Sequence, residues 1–350
     1  LDPQAGSIAI IGQALYVDDA CQGGGGSSKV TPLYTVPPVD GMRDVLQDLG
    51  GSANVTKLTV SDDLSNLEDA KAAAAQADVA VIMAGLVATE GNDQPDMNML
   101  NDQNRIIAEV APVNPRTVVV LKDGNPVLMP WIDAVPAVLE TWNQGEEDGH
   151  AVADLLFGVV NPSGKLPTTY PRSEDETPTA GHPERYPGTD EGDGYPVIRY
   201  SEGLEMGYRW YQAQGVTPLF PFGYGLSYTT FETDVSVDPG ERPGSTPITV
   251  AATVTNTGPV AGAEVVQVYL GLPASTNQPP KRLVGFQKVK VEPGANEQVR
   301  IVVDPEASNH PLSVWSYCER SFVIASGDYT IYVGTSSEDT PFRETFSVGA

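Results

Sequence analysis

The sequence predicts an α/β domain with a mostly parallel sheet, followed by an all-β sandwich. From residue 7 to about residue 170, short apolar runs alternate with helical patterns, which is typical of parallel strands covered by helices on both faces. From about residue 232 the pattern changes to short alternating strands separated by turns, as in an antiparallel sandwich. A length of 350 residues with 40% hydrophobic content is sufficient for two such cores.

The strands of the first domain are predicted from apolar runs of strand length. They are residues 7–11, 57–60, 78–84, 117–121 and 137–142. Helices are predicted where apolar residues recur with helical spacing or where alanine dominates. They are residues 40–49, 64–77, 102–111 and 149–157. The turn residues of 158–164 then end the alternating pattern.

A segment without this pattern separates the two domains. Residues 171–195 are dense in Pro, Gly, Glu and Asp, which predicts a long surface excursion. Closely spaced aromatic residues follow from Tyr200 to Phe231, and a packing seam between domains is a more frequent role for such a cluster than a ligand site. We therefore predict an α/β domain over 1–170, a loop and aromatic segment over 171–231, and a sandwich over 232–350.

The sandwich is interpreted as a structural module, because its sequence shows no cluster of polar residues that could converge on a ligand. Its strands are predicted where apolar and polar residues alternate between turn signals. They are residues 248–256, 264–270, 281–291, 297–303 and 328–334.

The formal net charge is −26 at pH 7, from 20 basic and 46 acidic residues. Such a charge repels nucleic acid and anionic membranes, so neither is expected as a partner. No window of about 18 apolar residues predicts a transmembrane span. Residues 1–6 are similar to a linker and contain neither a start methionine nor a signal-peptide pattern, so we expect the chain to continue a longer one. A secreted or extracellular protein is the expectation, with a cytoplasmic location as the alternative, and homo-oligomerisation stays open.

Cysteine and histidine are too sparse and too scattered for most metal or nucleophile chemistry. Cys21 and Cys318 lie far apart and indicate neither a disulfide framework nor a zinc site. His150, His182 and His310 have no metal-ligand spacing, and no Ser-His-Asp arrangement is specified. No metal and no cofactor is therefore expected.

A glycine-rich loop, residues 22–28, follows the first predicted strand. It matches neither the dinucleotide-binding fingerprint nor the P-loop pattern, and a helix is not predicted directly after it, so nucleotide binding is not favoured. Glycines allow a backbone to approach another group closely. Ser27 and Ser28 could then offer hydroxyl groups to a polar ligand such as a sugar.

Glu90 is the candidate catalytic residue. It follows the apolar run 79–85 by a few residues, and loops after the carboxyl ends of strands are where open α/β sheets place their chemistry. A carboxyl group there could act as a general acid if a partly buried cleft raised its pKa. Taken alone, a loop glutamate is more often a solvated charge.

Other acidic residues have simpler interpretations. Glu146 and Glu147 precede a predicted helix, where negative charge favours the helix dipole. Asp18, Asp19, Asp62 and Asp63 are expected to be loop or capping residues.

Several segments in order along the chain are similar to family 3 glycoside hydrolases, specifically to the C-terminal half of a β-glucosidase of that family. They are residues 7–12, the glycine-rich loop 23–30 before Pro32, Glu90-Gly91 with Asp93, residues 145–149, 153–158, 161–167 and 207–211, and residues 218–231. The resemblance covers nearly the whole chain.

The resemblance implies a six-stranded α/β sandwich followed by a fibronectin type III-like domain. It also implies a partner: a (β/α)₈ barrel, as a separate or removed polypeptide, that supplies the nucleophilic Asp and most contacts to the terminal sugar. Glu90 matches the acid/base position, and Ser27 matches a hydroxyl that reaches the sugar in the first subsite. The implied reaction is retaining, exo-acting hydrolysis of terminal non-reducing β-D-glucosyl residues.

The sequence departs from the family pattern near Glu90. Gln94 stands where an Arg commonly follows Asp93, and Leu100-Asn101 replaces a usual Pro-Gly. A missing cation near the acid/base loop alters the environment that sets the pKa of Glu90.

Alternatives from the sequence are a non-catalytic carbohydrate-binding or scaffold fragment, and a β-xylosidase of the same family. Glu90 in this domain disfavours the N-acetylglucosaminidase branch, which usually draws its acid/base from the barrel.

Overall fold

The computed structural model of the protein describes residues 1–21, 25–240 and 243–349. These residues group into two compact units, Leu1–Val160 and Asn161–Ala350. Within the described ranges, no helix combines the length and the apolar character that crossing a membrane requires.

The first unit contains a parallel sheet with helices between its strands. Its strands are β1 (Ser7–Gln13), β2 (Asn54–Val60), β3 (Val79–Leu86), β4 (Thr117–Asp123) and β5 (Ala137–Glu140). Its helices are α1 (Ala14–Val17), α2 (Pro38–Asp48), α3 (Leu67–Gln76), α4 (Gln103–Val110) and α5 (Asp148–Leu156). The strands pair in the order β2-β1-β3-β4-β5, and each pair is parallel. The predicted α/β class is confirmed.

The central strand β3 is buried along its whole length, as its continuous apolar run predicts for a strand covered on both faces. Helix α2 buries one side, where Val39, Met42, Val45 and Leu46 recur at helical spacing and join the core of the sheet. The described residues form five of the six strands that the resemblance implies. The chain after α5 is rich in Gly and Pro, which are unfavourable in a central strand.

Gln103, the first residue of α4, binds the carboxyl end of β3. Its side-chain oxygen accepts from the Gly85 N–H at 2.9 Å, and its Nε2 donates to the Gly85 carbonyl at 2.9 Å and to the Leu100 carbonyl at 3.0 Å. The β1–β3 ladder ends at the pair of Gly12 with Met83, so this amide binds Gly85 as a neighbouring strand would. The loop between β3 and α4 is thereby closed at its base.

The second unit contains two antiparallel sheets that share one core. Its elements are β6 (Thr189–Asp190), β7 (Pro196–Val197), α6 (Tyr208–Gln214), β8 (Phe231–Asp238), β9 (Ile248–Asn256), β10 (Gly262–Gly271), β11 (Arg282–Val291), β12 (Asn296–Val303), β13 (Ser313–Ser316), β14 (Ser321–Ile324), β15 (Gly327–Gly334) and β16 (Phe342–Val348). The sheets have the orders β11-β10-β15-β16 and β12-β9-β8. Alternate residues of β9 and β12 enter the core, which confirms the predicted sandwich.

The aromatic segment packs within the second unit. Tyr208 of α6 stacks on Phe222 at 4.8 Å between ring centroids and meets Tyr269 of β10 edge-on at 5.8 Å. Its hydroxyl oxygen accepts from the Leu283 N–H of β11 at 2.7 Å. Each ring thus has an apolar partner, and the buried hydroxyl of Tyr208 is satisfied.

We expect Gln103→Met to destabilise the first unit by about 2 kcal/mol or more, because it leaves both backbone groups of Gly85 buried without a partner. Thermal unfolding and hydrogen exchange of the Gly85 amide measure the loss. Gln76→Met, the same substitution at an exposed position of α3, is the matched control. Equal unfolding temperatures for the two variants would contradict the assignment.

Candidate active site

The candidate site lies at the carboxyl ends of β1 and β3. In the strand order of this sheet, the connections from these two neighbours leave in opposite directions, which opens a crevice where such folds bind ligands. The loop after β1 carries Ser27, and the loop after β3 carries Glu90. The topology therefore brings together two segments that lie far apart in the sequence.

The two loops meet where Ser27 contacts Glu90. The backbone N–H of Ser27 donates to Oε2 of Glu90 at 2.8 Å. Ser27 lies in a short 3₁₀ turn, Gly26–Ser28, and both Ser27 and Glu90 are exposed. Ser28 belongs to the same turn, but its side chain lies outside what the structure describes, as do Gly23 and Gly24.

The pKa of Glu90 is lowered from its ordinary value. The main cause is the hydrogen bond from the Ser27 backbone, followed by one from the Ser27 side chain, since both favour the ionised form. A partly buried cleft that raises this pKa is therefore not formed by the described residues alone. In this chain Glu90 is held as a carboxylate.

Gly26 explains why a glycine-rich loop stands here. Its φ is +68°, and a Cβ at this position would lie 2.4 Å from the Cβ of Glu90. The same atom would lie 2.8 Å from Oε2 of Glu90. A side chain would separate the two loops, so the loop uses glycine for close approach to a carboxylate rather than to a phosphate.

The departure from the family pattern at Asn101 has a local explanation. Asn101 has a φ of +55°, in the left-handed region that favours glycine and that asparagine tolerates better than most residues. Its carbonyl accepts from Nε2 of Gln13, the last residue of β1, at 3.0 Å. The end of the Glu90 loop is thus attached to β1 as well as to β3.

Both ends of the loop after β1 are attached to the segment 143–150, which leads into α5. At the start of the loop, the Cys21 N–H donates to Oδ2 of Asp148 at 2.8 Å, and the Cys21 carbonyl accepts from the Gly145 N–H at 2.8 Å. At its end, the Val36 N–H donates to the Glu146 carbonyl at 2.8 Å. Ser27 lies between these two attachments.

A cluster of side chains reinforces the second attachment. The Tyr34 hydroxyl donates to one oxygen of Glu147, and Nδ1 of His150 lies 2.6 Å from the other. Nε2 of His150 lies 3.3 Å from Oδ2 of Asp44 on α2. The hydrogen bond to Glu147 is the main cause that raises the pKa of His150. Hydrogen bonds from Tyr34 and then from His150 lower the pKa of Glu147.

The other histidine and aspartate candidates make contacts of their own. His182 contacts Glu184, and His310 stacks on Phe322, both in the second unit. Asp18 is the C-cap residue of α1, as expected of a loop or capping residue, and its carboxylate accepts from Lys57 and Thr59. Among the residues that the structure describes, no group of three or more His, Cys, Asp or Glu side chains is arranged to hold a metal ion.

Sequence reasoning missed the groups that hold the two loops. Gln103, Tyr34 and His150 carry no pattern of their own, since their partners are distant in sequence. Lys122 could have been identified from the sequence, because a lysine directly follows the apolar run of a predicted buried strand. The structure buries its side chain completely, which is rare for a lysine without a partner.

Comparison with known proteins gives two family matches. The model of the glycosyl hydrolase family 3 C-terminal domain matches residues 1–228, and that of a fibronectin type III-like domain matches residues 264–337. Thermostable beta-glucosidase B of Acetivibrio thermocellus is 38% identical over an alignment that covers 99% of this chain and 45% of the relative. Beta-glucosidase B of Emericella nidulans is 40% identical, with 78% and 33% covered.

Solved structures of β-glucosidases have a similar fold. DesR, a β-glucosidase from Streptomyces venezuelae in complex with D-glucose, matches with a TM-score of 0.88 and 28% identity, covering 99% of this chain and 56% of that one. A family 3 β-glucosidase from Bifidobacterium adolescentis matches with a TM-score of 0.85 and 32% identity, covering 99% and 49%. The chain therefore spans about half the length of these relatives.

The pKa shifts predict the pH range in which the His150 cluster stabilises the folded protein. A raised pKa of His150 gives stability that is fully present below its unfolded value, about 6.5, and is lost as pH rises through the folded value. A lowered pKa of Glu147 gives stability that is present above its unfolded value, about 4.5, and is lost as pH falls through the folded value. Wild type should thus exceed His150→Gln in melting temperature most between about pH 5 and 6.5.

Calorimetry from pH 5 to pH 9 measures this difference. His182→Gln, in the second unit, is the control for a general effect of the substitution. A difference between wild type and His150→Gln that does not shrink as pH rises would refute the ionic role of His150.

Proposed function

The chain belongs to glycoside hydrolase family 3, and from this premise we propose that it is the part of a retaining, exo-acting β-glucosidase that supplies the general acid/base, Glu90. The observation that carries the proposal is the contact of Glu90 with Ser27 at the carboxyl ends of β1 and β3. It holds an exposed carboxylate at the edge of the sheet where this class of fold carries out its chemistry.

Retaining glycosidases need two carboxyl groups about 5–5.5 Å apart, one as nucleophile and one as acid and then base. We assign the nucleophile to an Asp of a (β/α)₈ barrel, which this chain meets as a partner or as a further domain. Relatives about twice as long as the chain support this division.

The lowered pKa of Glu90 suits one of its two tasks. In the first step an acid must protonate the leaving oxygen, and in the second a carboxylate must take a proton from water. The Ser27 N–H favours the carboxylate, the form that the second step requires. For the first step, a docked barrel would remove water from Glu90 and place the nucleophile's negative charge nearby, and both effects raise its pKa.

With this arrangement the protonation state of Glu90 changes between the two steps of the reaction. Once the nucleophile has formed the glycosyl-enzyme bond, its charge is gone, and the pKa of Glu90 falls again. Glu90 is then ionised when water must be activated. The proposed substrate is a terminal β-D-glucosyl residue, with the hydroxyl groups of Ser27 and Ser28 available to one of its hydroxyls.

In a sample that contains the barrel, Glu90→Gln should lower turnover of an alkyl β-glucoside by about 10²- to 10⁴-fold, because the leaving oxygen loses its proton donor. On an aryl glucoside with a good leaving group, added azide should restore turnover and give β-glucosyl azide, since azide attacks the glycosyl-enzyme without a base. Product analysis by mass spectrometry detects the azide.

Asp96→Asn is the matched control, an exposed acid in the same loop whose cap to the Asn98 N–H an asparagine can keep. Wild-type turnover in Glu90→Gln, or an equal loss in Asp96→Asn, would remove Glu90 from the mechanism.

The relatives reported above are named β-glucosidases, and this favours glucose over xylose at the terminal position. We expect 4-nitrophenyl β-D-glucoside to exceed the β-D-xyloside in kcat/KM by about 10-fold or more, the effect of one small group in a fitted pocket. Both rates are measured with the same sample. A faster xyloside would instead identify a β-xylosidase.

A further inference from the structure

A lysine and an aspartate in the first unit are both fully buried and form an ion pair. Lys122 lies near the end of β4, Asp148 is the first residue of α5, and neither side chain is exposed to solvent. Nζ of Lys122 forms an ion pair with Oδ2 of Asp148. It also donates to the Tyr16 carbonyl at 3.1 Å and lies 3.4 Å from the Asp19 carbonyl.

Stability alone does not account for this pair. Two ions lose their hydration on burial, and apolar residues of similar volume often serve a core as well or better. Oδ1 of Asp148 is buried and has no hydrogen-bond partner among the described residues, so the pair is not even fully satisfied. Burial is the main cause that raises the pKa of Asp148.

What the pair does supply is a set of contacts to one short piece of backbone. Lys122 holds two carbonyl groups between residues 16 and 19, and Asp148 accepts from the Cys21 N–H at 2.8 Å. These residues are the beginning of the loop that carries Ser27. The other end of that loop is attached through Val36 to the same segment, 143–150.

We propose that the buried Lys122–Asp148 pair is a positioning device for Glu90: by fixing residues 16–21 it sets where the Ser27 N–H meets the Glu90 carboxylate. Lys122 and Asp148 are positioning residues, since they touch neither Glu90 nor Ser27. The importance of this for catalysis rests on the proposed function, but the coupling itself is a property of this chain.

The test replaces both charges and observes Glu90 directly. Lys122→Met with Asp148→Asn removes the ion pair, keeps the side-chain volumes close, and leaves an amide oxygen for the Cys21 N–H. In the full chain with carboxyl-¹³C glutamate, the Glu90 resonance is assigned from its absence in Glu90→Gln. We expect the pKa of Glu90 to rise towards that of a free glutamate, and the Ser27 amide shift to stop following Glu90 ionisation.

The control removes an ion pair in the second unit, Lys165 with Glu264, whose side chains are 12% and 11% exposed, by Lys165→Met with Glu264→Gln. The Glu90 titration should be unchanged in it. A folded Lys122→Met/Asp148→Asn protein with a wild-type Glu90 titration overturns the proposal, because the pair would then contribute only to stability. A shift of equal size in the control would overturn it as well.

If the double variant does not fold, a single substitution provides the test. Asp148→Asn alone keeps Lys122 and an acceptor for Cys21, and we expect it to move the Glu90 titration in the same direction; no movement overturns the proposal. The outcome is independent of catalysis. If Glu90→Gln retains full turnover while these titrations shift, the proposed function fails and the coupling stands.

Discussion

The parallel pairing of β1 with β3 is the contact on which the site depends. It aligns Gly12 with Met83, so the chain leaves both strands at the same edge of the sheet and the two loops emerge side by side. Without that alignment, Ser27 and Glu90 would be two unrelated surface residues. From there the chain runs from β1 to β2 on one side and from β3 to β4 on the other, and such a reversal is where folds of this class bind ligands.

Parallel pairing brings the loops together but does not fix their shape, and buried polar groups do that. Gln103 closes the Glu90 loop on β3, Gln13 attaches its end to β1, and Lys122 holds the first turn of the Ser27 loop. Each is a polar side chain inside or beside an apolar core, where an unmade hydrogen bond is costly. That cost is a reason for the loops to keep one arrangement.

The sequence predicted the strands of the α/β sheet to within a few residues, because β3 and β4 are continuous apolar runs. It missed β8, whose outward residues Glu232 and Asp234 resemble a loop, and α6, whose aromatic residues have low helical propensity. Glu90 and Ser27 were both identified as candidates, yet their contact was not. It depends on the positive φ of Gly26 and on hydrogen bonds across more than a hundred residues, such as Cys21 with Asp148, which no local pattern records.

The exposed, ionised state of Glu90 has a thermodynamic consequence. If docking of a barrel raises the proton affinity of this carboxylate, linkage requires that protons raise the affinity of the docking itself by the same factor. Assembly and proton uptake then become one equilibrium, in which mild acidity favours the joined enzyme. The Ser27 N–H, by holding Glu90 ionised in the isolated chain, sets how large that coupling is.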